Sequence, residues 1–297
     1  MTARDTRNSL LRILTVYTDA ICLKDLSTIP VAPNVRVTSN GDVTSLGEGP
    51  VWKTPGTLRI PYRRALVDAS TGAACLRATV TNEVVPRGSS IEAIINPPPG
   101  KWWWYTVRLK VESGLITEIE EIVSDVGFPG TPARTMTIPD RIWDTIVPED
   151  QRSTREELFQ LADDYFSTVS GTIPWHKAPF HPECNRYEMG APTTNAVFIP
   201  GGVGPGLLSP TLQGLKVTNR RFYVADPVLG VVAAMGKFTP PRSSNNITSG
   251  AVSAVIFEEF KIQDGLIRHI EAFFAVSGQE YSGWGTGPGS SAADPGP

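Results

Sequence analysis

Cysteine, histidine and excess positive charge are all scarce in this chain of 297 residues, and each scarcity removes a class of function. The three cysteines, Cys22, Cys75 and Cys184, are odd in number and far apart, with no C-x-x-C. That spacing supports neither a zinc knuckle nor a thioredoxin-type redox site, and reduced thiols in a cytoplasmic protein are the expectation. A net charge of −3 gives no electrostatic case for nucleic acid, which needs a basic face. No apolar run reaches the length of a membrane span. Met1 to Asn8 carries charges of both signs, and Arg12 interrupts the apolar stretch that follows, so no secretory signal is expected. The sequon Asn246-Ile247-Thr248 is then read as accidental. The glycines Gly201, Gly202, Gly204 and Gly206 lack the Gly-Lys-Ser/Thr ending of a phosphate loop and read as a flexible loop or lid. His176, His181 and Glu188 fall in a stretch broken by Pro174, Pro179 and Pro182, so no metal site is expected there. With neither a nucleotide motif nor a metal cluster, any chemistry is expected to be cofactor-free.

What the chain does contain is itself, twice. Leu10, Ile13, Tyr17 and Ile21 are answered by Leu158, Leu161, Tyr165 and Val169 at the same offsets. Pro33, Arg36 and Gly41 are answered by Pro182, Arg186 and Gly190. Arg63-Arg64, Val67, Asp68 and Gly72 are answered by Arg220-Arg221, Val224, Asp226 and Gly230. Leu109 to Glu120 is answered by Phe260 to Glu271. Four matches in one order indicate a tandem duplication of one domain. The expected organisation is a first repeat over 1–125, a linker over 126–153, a second repeat over 154–276 and a disordered tail over 277–297. Within the linker, Ile142 and Trp143 read as a short docking helix.

In each copy a helix with an apolar face comes first, over 8–23 and 155–169, the second opened by a capping box of Thr154 and Glu157. Long strands follow, Tyr105 to Glu112 and Ala251 to Ile262, each ending in a tight turn, Glu112-Ser113-Gly114 or Gln263-Asp264-Gly265. This is an α+β pattern. Residues 86–101, with Pro97-Pro98-Pro99-Gly100, read as a hairpin-end loop.

A helix, a segment such as Ala32 to Gly41, and strands carrying Lys-x-x-x-Gly-x-Ile resemble the NTF2-like superfamily, its SnoaL-like branch in particular, and within that the duplicated proteins of uncharacterised function found in fungi. The resemblance implies two tandem cystatin-like cones, each a curved antiparallel sheet with helices over its concave face and an apolar pocket between. It also implies that the copies pack as an internal pseudo-dimer, with a larger homo-oligomer possible. The superfamily holds isomerases, dehydratases, hydrolases, cyclases and plain binding proteins, so chemistry must be argued from the site.

All three histidines lie in the second copy, and His269 aligns with Glu118 of the first. Alternation puts His269 and Glu271 on one strand face; if that face lines the cone, an imidazole there suits proton transfer, and otherwise it faces solvent or the other copy. Asp163 and Asp164 are also particular to the second copy. A resemblance to scytalone dehydratase implies pairing Asp164 with His269. Tyr165 and Tyr17, at matching positions, are candidates to bind a substrate oxygen or to fill the core. His181 is a candidate for the pocket mouth and for binding the substrate oxygen, and Arg186 and Glu271 for substrate binding. Arg220-Arg221 and Arg63-Arg64 read as structural, in ion pairs with Asp226 or Asp68, with the Asp-Arg-Asp set of limonene epoxide hydrolase as a rival pattern. In Trp102-Trp103-Trp104-Tyr105, Trp102 and Trp104 share a face and are candidates to wall an apolar pocket or an interface. The expected function is cofactor-free isomerisation, dehydration or cyclisation of a hydrophobic polyketide or terpenoid. A non-catalytic binding or scaffold protein and an epoxide hydrolase are the alternatives.

Overall fold

The computed structural model describes residues 6–83, 88–95, 99–127, 131–136, 140–195, 215–239, 253–277 and 284. The expected glycine-rich lid, the sequon and nearly all of the expected tail lie outside these. The chain forms two compact units, one of 1–39 with 43–139, the other of 140–297 with 40–42.

The first unit opens with α1 (Arg7–Leu23), capped by reciprocal hydrogen bonds between Thr6 and Ser9. Then come β1 (Val31–Ser39), β2 (Asp42–Thr44), the short α2 (Pro50–Lys53), β3 (Arg59–Asp68), β4 (Ala73–Thr81), α3 (Ile91–Ile95), β5 (Trp102–Glu112) and β6 (Leu115–Ser124). The second unit repeats the plan. It has α4 (Arg155–Val169), β7 (Phe180–Glu188), β8 (Ala191–Pro192), β9 (Lys216–Asp226), β10 (Val231–Thr239), β11 (Ala254–Gln263) and β12 (Leu266–Val276). The strand orders are β2-β1-β6-β5-β4-β3 and β8-β7-β12-β11-β10-β9, the same order twice.

Each unit is thus the expected α+β cone, a six-stranded sheet with its first long helix on one face. The sheet is antiparallel except where β1 joins β6 and β7 joins β12 in parallel. A parallel neighbour needs a long crossover, and the other four strands of each sheet lie in the chain between those two. Bulges in β9–β10 and β11–β12 bend the second sheet around its helix.

The helices form where the repeat placed them. Leu158, Ala162, Tyr165, Phe166 and Val169 of α4 are buried, and each large side chain so buried is worth roughly 1.5–3 kcal/mol. The Thr154–Glu157 capping box is present, with Glu157 N donating to Thr154 Oγ1 at 3.2 Å and Thr154 N to Glu157 Oε2 at 2.7 Å. Both strand turns put two residues at positive φ, Ser113-Gly114 and Asp264-Gly265, as a two-residue hairpin of the right twist requires. Ahead of α4, Arg141–Asp144 makes one 3₁₀ turn, capped by Asp140 and burying Trp143.

Gly72 and Gly230 stand at the same turn of the two units, with φ of 69° and 59°. Their carbonyls accept from Val111 N at 2.8 Å and Ile262 N at 2.6 Å. A Cβ at either glycine would collide with the facing carbonyl oxygen of Val111 or Ile262. Gly265 also has positive φ, 67°, but open space around it. Gly230→Ala is therefore expected to cost about 1–3 kcal/mol in chemical denaturation, and Gly265→Ala less. Equal losses at the two positions would show that the collision is relieved by backbone adjustment.

Candidate acid sites inside the two cones

In the second unit the inward positions of β11 alternate Ile256, Glu258, Phe260 and Ile262, an acid in an apolar file. Its carboxyl is fully buried. Tyr165, from α4, donates its hydroxyl to Glu258 Oε1 at 3.1 Å. Arg186, on β7, donates Nε to the Tyr165 hydroxyl at 2.8 Å and reaches Glu258 Oε1 through Nη2 at 3.4 Å. Its Nη1 pairs with Glu188 and bonds Thr193 Oγ1 at 3.2 Å. Glu258 Oε2 has no hydrogen-bond partner among the described residues. Around this polar line lie Phe166, Phe180 and Phe260, with ring centroids 5.1–6.2 Å from that of Tyr165.

Burial pushes the Glu258 carboxyl up to about 7, against the pull of Arg186 and the Tyr165 hydrogen bond and with the help of Glu188. Burial also lifts the Tyr165 hydroxyl well above its usual range. Burial opposes the charge on Arg186, but Glu188, Tyr165 and Glu258 outweigh it and hold the guanidinium above its ordinary value. The Cys184 thiol nearby is pushed up to about 12 by burial, so it is no nucleophile.

The first unit solves the same problem with other strands. Glu121, on β6, is buried and accepts three hydrogen bonds on Oε1: from Tyr17 at 2.8 Å, Tyr105 at 2.7 Å and Trp52 Nε1 at 3.2 Å. Burial raises its carboxyl above the ordinary value, opposed by these three donors and by Lys24. Tyr17 and Tyr165 are repeat-equivalent, but the carboxyls are not. Glu121 lies opposite Val107 across β5–β6, and Glu258 lies opposite Ala272 across β11–β12. Val107 matches Glu258 and Ala272 matches Glu121. One rung of each sheet carries one acid, supplied by opposite strands.

Several sequence-derived candidates converge here and others do not. Tyr165, Arg186 and Tyr17 line the two polar centres. Arg186 is not the counterpart of Arg36, however. Ser39 pairs with Glu121 and Glu188 with Ala272, which aligns Arg186 with Val37 and Arg36 with Asn185. The one-residue shift turns Arg36 outward and Arg186 inward. His269 and Glu271 lie on the sheet face away from α4, since Ile270 and Ala272 belong to the core under that helix. There His269 is buried, stacks on Tyr187 at 5.2 Å, meets the edge of Trp143 at 5.1 Å and sits 3.3 Å from Glu271 Oε1, to which Trp143 Nε1 donates at 3.0 Å.

Asp164 accepts from Gln160 Nε2 at 2.8 Å on the outer side of α4, so the structure brings it to neither His269 nor Glu258. His181 lies in a shallow depression of about 460 Å³ beside Arg268, Gln151 and Gln263. The three residues at metal-ligand spacing go separate ways: His176 packs on Trp175, His181 contacts Arg268 and Glu188 pairs with Arg186. Trp102 donates to Glu83 Oε2 at 2.8 Å, and Trp104 is buried on the same face, while Trp103 and Tyr105 point into the core with Tyr17. Arg220 pairs with Asp163 at 3.0 Å. Glu258 and Glu121 were not anticipated, and Glu188 and Tyr105 only in other roles, yet the signal for the two central acids is local: each stands at an inward, otherwise apolar position of a period-two strand.

A family model described as a domain of unknown function, DUF8021, matches residues 151–274. No curated protein matches the sequence. Among solved structures, AclR from Streptomyces galilaeus is 18% identical over 49% of this chain and 92% of its own, with a TM-score of 0.31. An LEH-like epoxide hydrolase of M. tuberculosis is 14% identical over 39% of this chain and 84% of its own, with a TM-score of 0.28. A protein of unknown function with a cystatin-like fold from Methylobium petroleophilum is 14% identical over 41% of this chain and 80% of its own, with a TM-score of 0.28. Among the described residues, no helix is long and apolar enough to cross a membrane.

Because the folded-state Glu258 binds its proton more tightly than an unfolded glutamate, the protein holds that proton while the unfolded chain loses it between pH 4.5 and about 7. Its contribution is fully present below pH 4.5 and is lost as the pH rises to about 7. The free energy of unfolding should therefore fall across this window, by roughly 3 kcal/mol at most on this account. Glu258→Gln should flatten that part of the pH profile; an unchanged slope would assign it to other groups.

Proposed function

We propose that the second unit is a cofactor-free acid–base enzyme acting on a hydrophobic, oxygen-bearing small molecule of polyketide or terpenoid type, by isomerisation, dehydration or cyclisation. One observation carries this reading: a buried carboxyl, Glu258, with one oxygen tied to donors and the other unengaged. Tyr165 and Arg186 both donate to Oε1, so a proton on Glu258 resides on Oε2. Poised near neutrality, the group can give that proton to a substrate oxygen or, once ionised, take one from carbon. Arg186 then stabilises the carboxylate left behind, and Glu188 balances Arg186. Phenylalanine rings supply the apolar surroundings.

Epoxide hydrolysis is the second reading, and the Glu188–Arg186–Glu258 line favours it. Two carboxyls bridged by an arginine could share the work. One takes a proton from the attacking water as the C–O bond to water forms. The other protonates the epoxide oxygen as the ring C–O bond breaks.

A test that needs no pathway host is proton exchange. Wild type is incubated in D₂O with a panel of hydrophobic cyclic ketones, and deuterium at the α-carbon is read by mass spectrometry. A parallel epoxide panel in ¹⁸O-water is read for labelled diol. Acid–base catalysis predicts exchange or diol in wild type, a loss of at least about 100-fold in Glu258→Gln, a smaller loss in Tyr165→Phe and near-wild-type rates in Asp164→Asn. Exchange that survives in folded Glu258→Gln would remove Glu258 from the chemistry. No turnover on either panel by wild type would favour the binding-protein alternative.

A further inference from the structure

The first unit holds a carboxylate without a cation. Glu121 is 1% exposed and forms no ion pair among the described residues. Lys24 is the positive charge that reaches it, but that ammonium is given to the carbonyls of Val51 and, at 2.9 Å, Trp52. Three donors crowd onto Oε1, an arrangement that suits an ionised acceptor. Oε2 takes no hydrogen bond from a described residue. It lies so close to Gly49 that a Cβ there would collide with it. Ser39, opposite Glu121 in the β1–β6 register, has a buried hydroxyl oxygen with no hydrogen-bond partner among the described residues. Leaving a carboxyl oxygen and a hydroxyl unanswered at a buried position is costly, and an arriving donor would relieve both.

We propose that Glu121, with Ser39 beside it and Gly49 across from it, forms a second ligand site that takes the primary ammonium of a small apolar amine. This site is independent of the reading given to the second unit. The charge sign follows from the uncompensated carboxylate. The ammonium follows from geometry, because Oε1 is filled and the unengaged acceptors are Glu121 Oε2 and Ser39 Oγ. The apolar body follows from the surroundings, where Trp52 and Tyr17, edge-on to each other at 6.0 Å, flank the carboxyl to which both donate. An anionic ligand meets repulsion here, and an alcohol can offer one donor where the ammonium offers three.

Benzylamine is the probe, with benzyl alcohol and benzoate as its neutral and anionic counterparts. Titration calorimetry on the full chain near neutral pH should give saturable binding of benzylamine. Benzyl alcohol should bind at least about tenfold more weakly, and benzoate should not bind. Glu121→Gln should weaken the amine at least about tenfold. If that variant does not fold, Ser39→Ala and Gly49→Ala keep the carboxylate; each should weaken the amine severalfold with an unchanged circular dichroism spectrum. Amine bound no better than alcohol would overturn the proposal. So would amine binding that is unchanged in the folded variants.

Discussion

A carboxyl buried among apolar side chains has to be answered by hydrogen bonds, or it does not stay there. Each cone of this protein is arranged around one such group, and the elements nearest it are placed by that need. In each unit the first long helix brings a tyrosine to the acid. The strand parallel to β12 contributes Arg186 in the second unit, and the turn around α2 contributes Trp52 in the first. The packing around them is apolar, phenylalanine-rich in the second unit, so the acid depends on the donors the protein supplies.

The two answers differ in charge. The second unit meets its acid with a guanidinium and a second carboxyl, so the charge on Glu258 is balanced along a line of three groups. The first meets its acid with neutral donors alone, which favours a fixed acceptor over a group that exchanges protons. Duplication thus left two interiors of similar shape and different electrostatics.

Much of the fold was legible in the sequence because its determinants are local. The helix repeat, the Thr154–Glu157 cap and the Ser-Gly and Asp-Gly turns act within a few residues and appear where expected. The sites were less legible because their determinants are not local. Which face of β12 turns inward is decided by what covers the other face, and Trp143 does so from the stretch before α4, carrying His269 and Glu271 with it. Arg186 was visible as a candidate, but matching it to Arg36 missed a one-residue offset that only strand register reveals. The central acids were hidden by the comparison that exposed the duplication. At the position of Glu258 the first copy has Val107, and at the position of Glu121 the second has Ala272, so neither acid is among the residues that the two copies share.

That exchange across one rung also bears on how such a gene can evolve. Tandem copies tend to be homogenised by recombination between them. Here a crossover falling between the two strands of the rung would yield one cone with neither acid and another with both. The first would leave tyrosines facing an apolar gap, and the second would press two buried carboxyls together side by side. Either product would damage a core, so the rung disfavours exchange between the two halves of this chain.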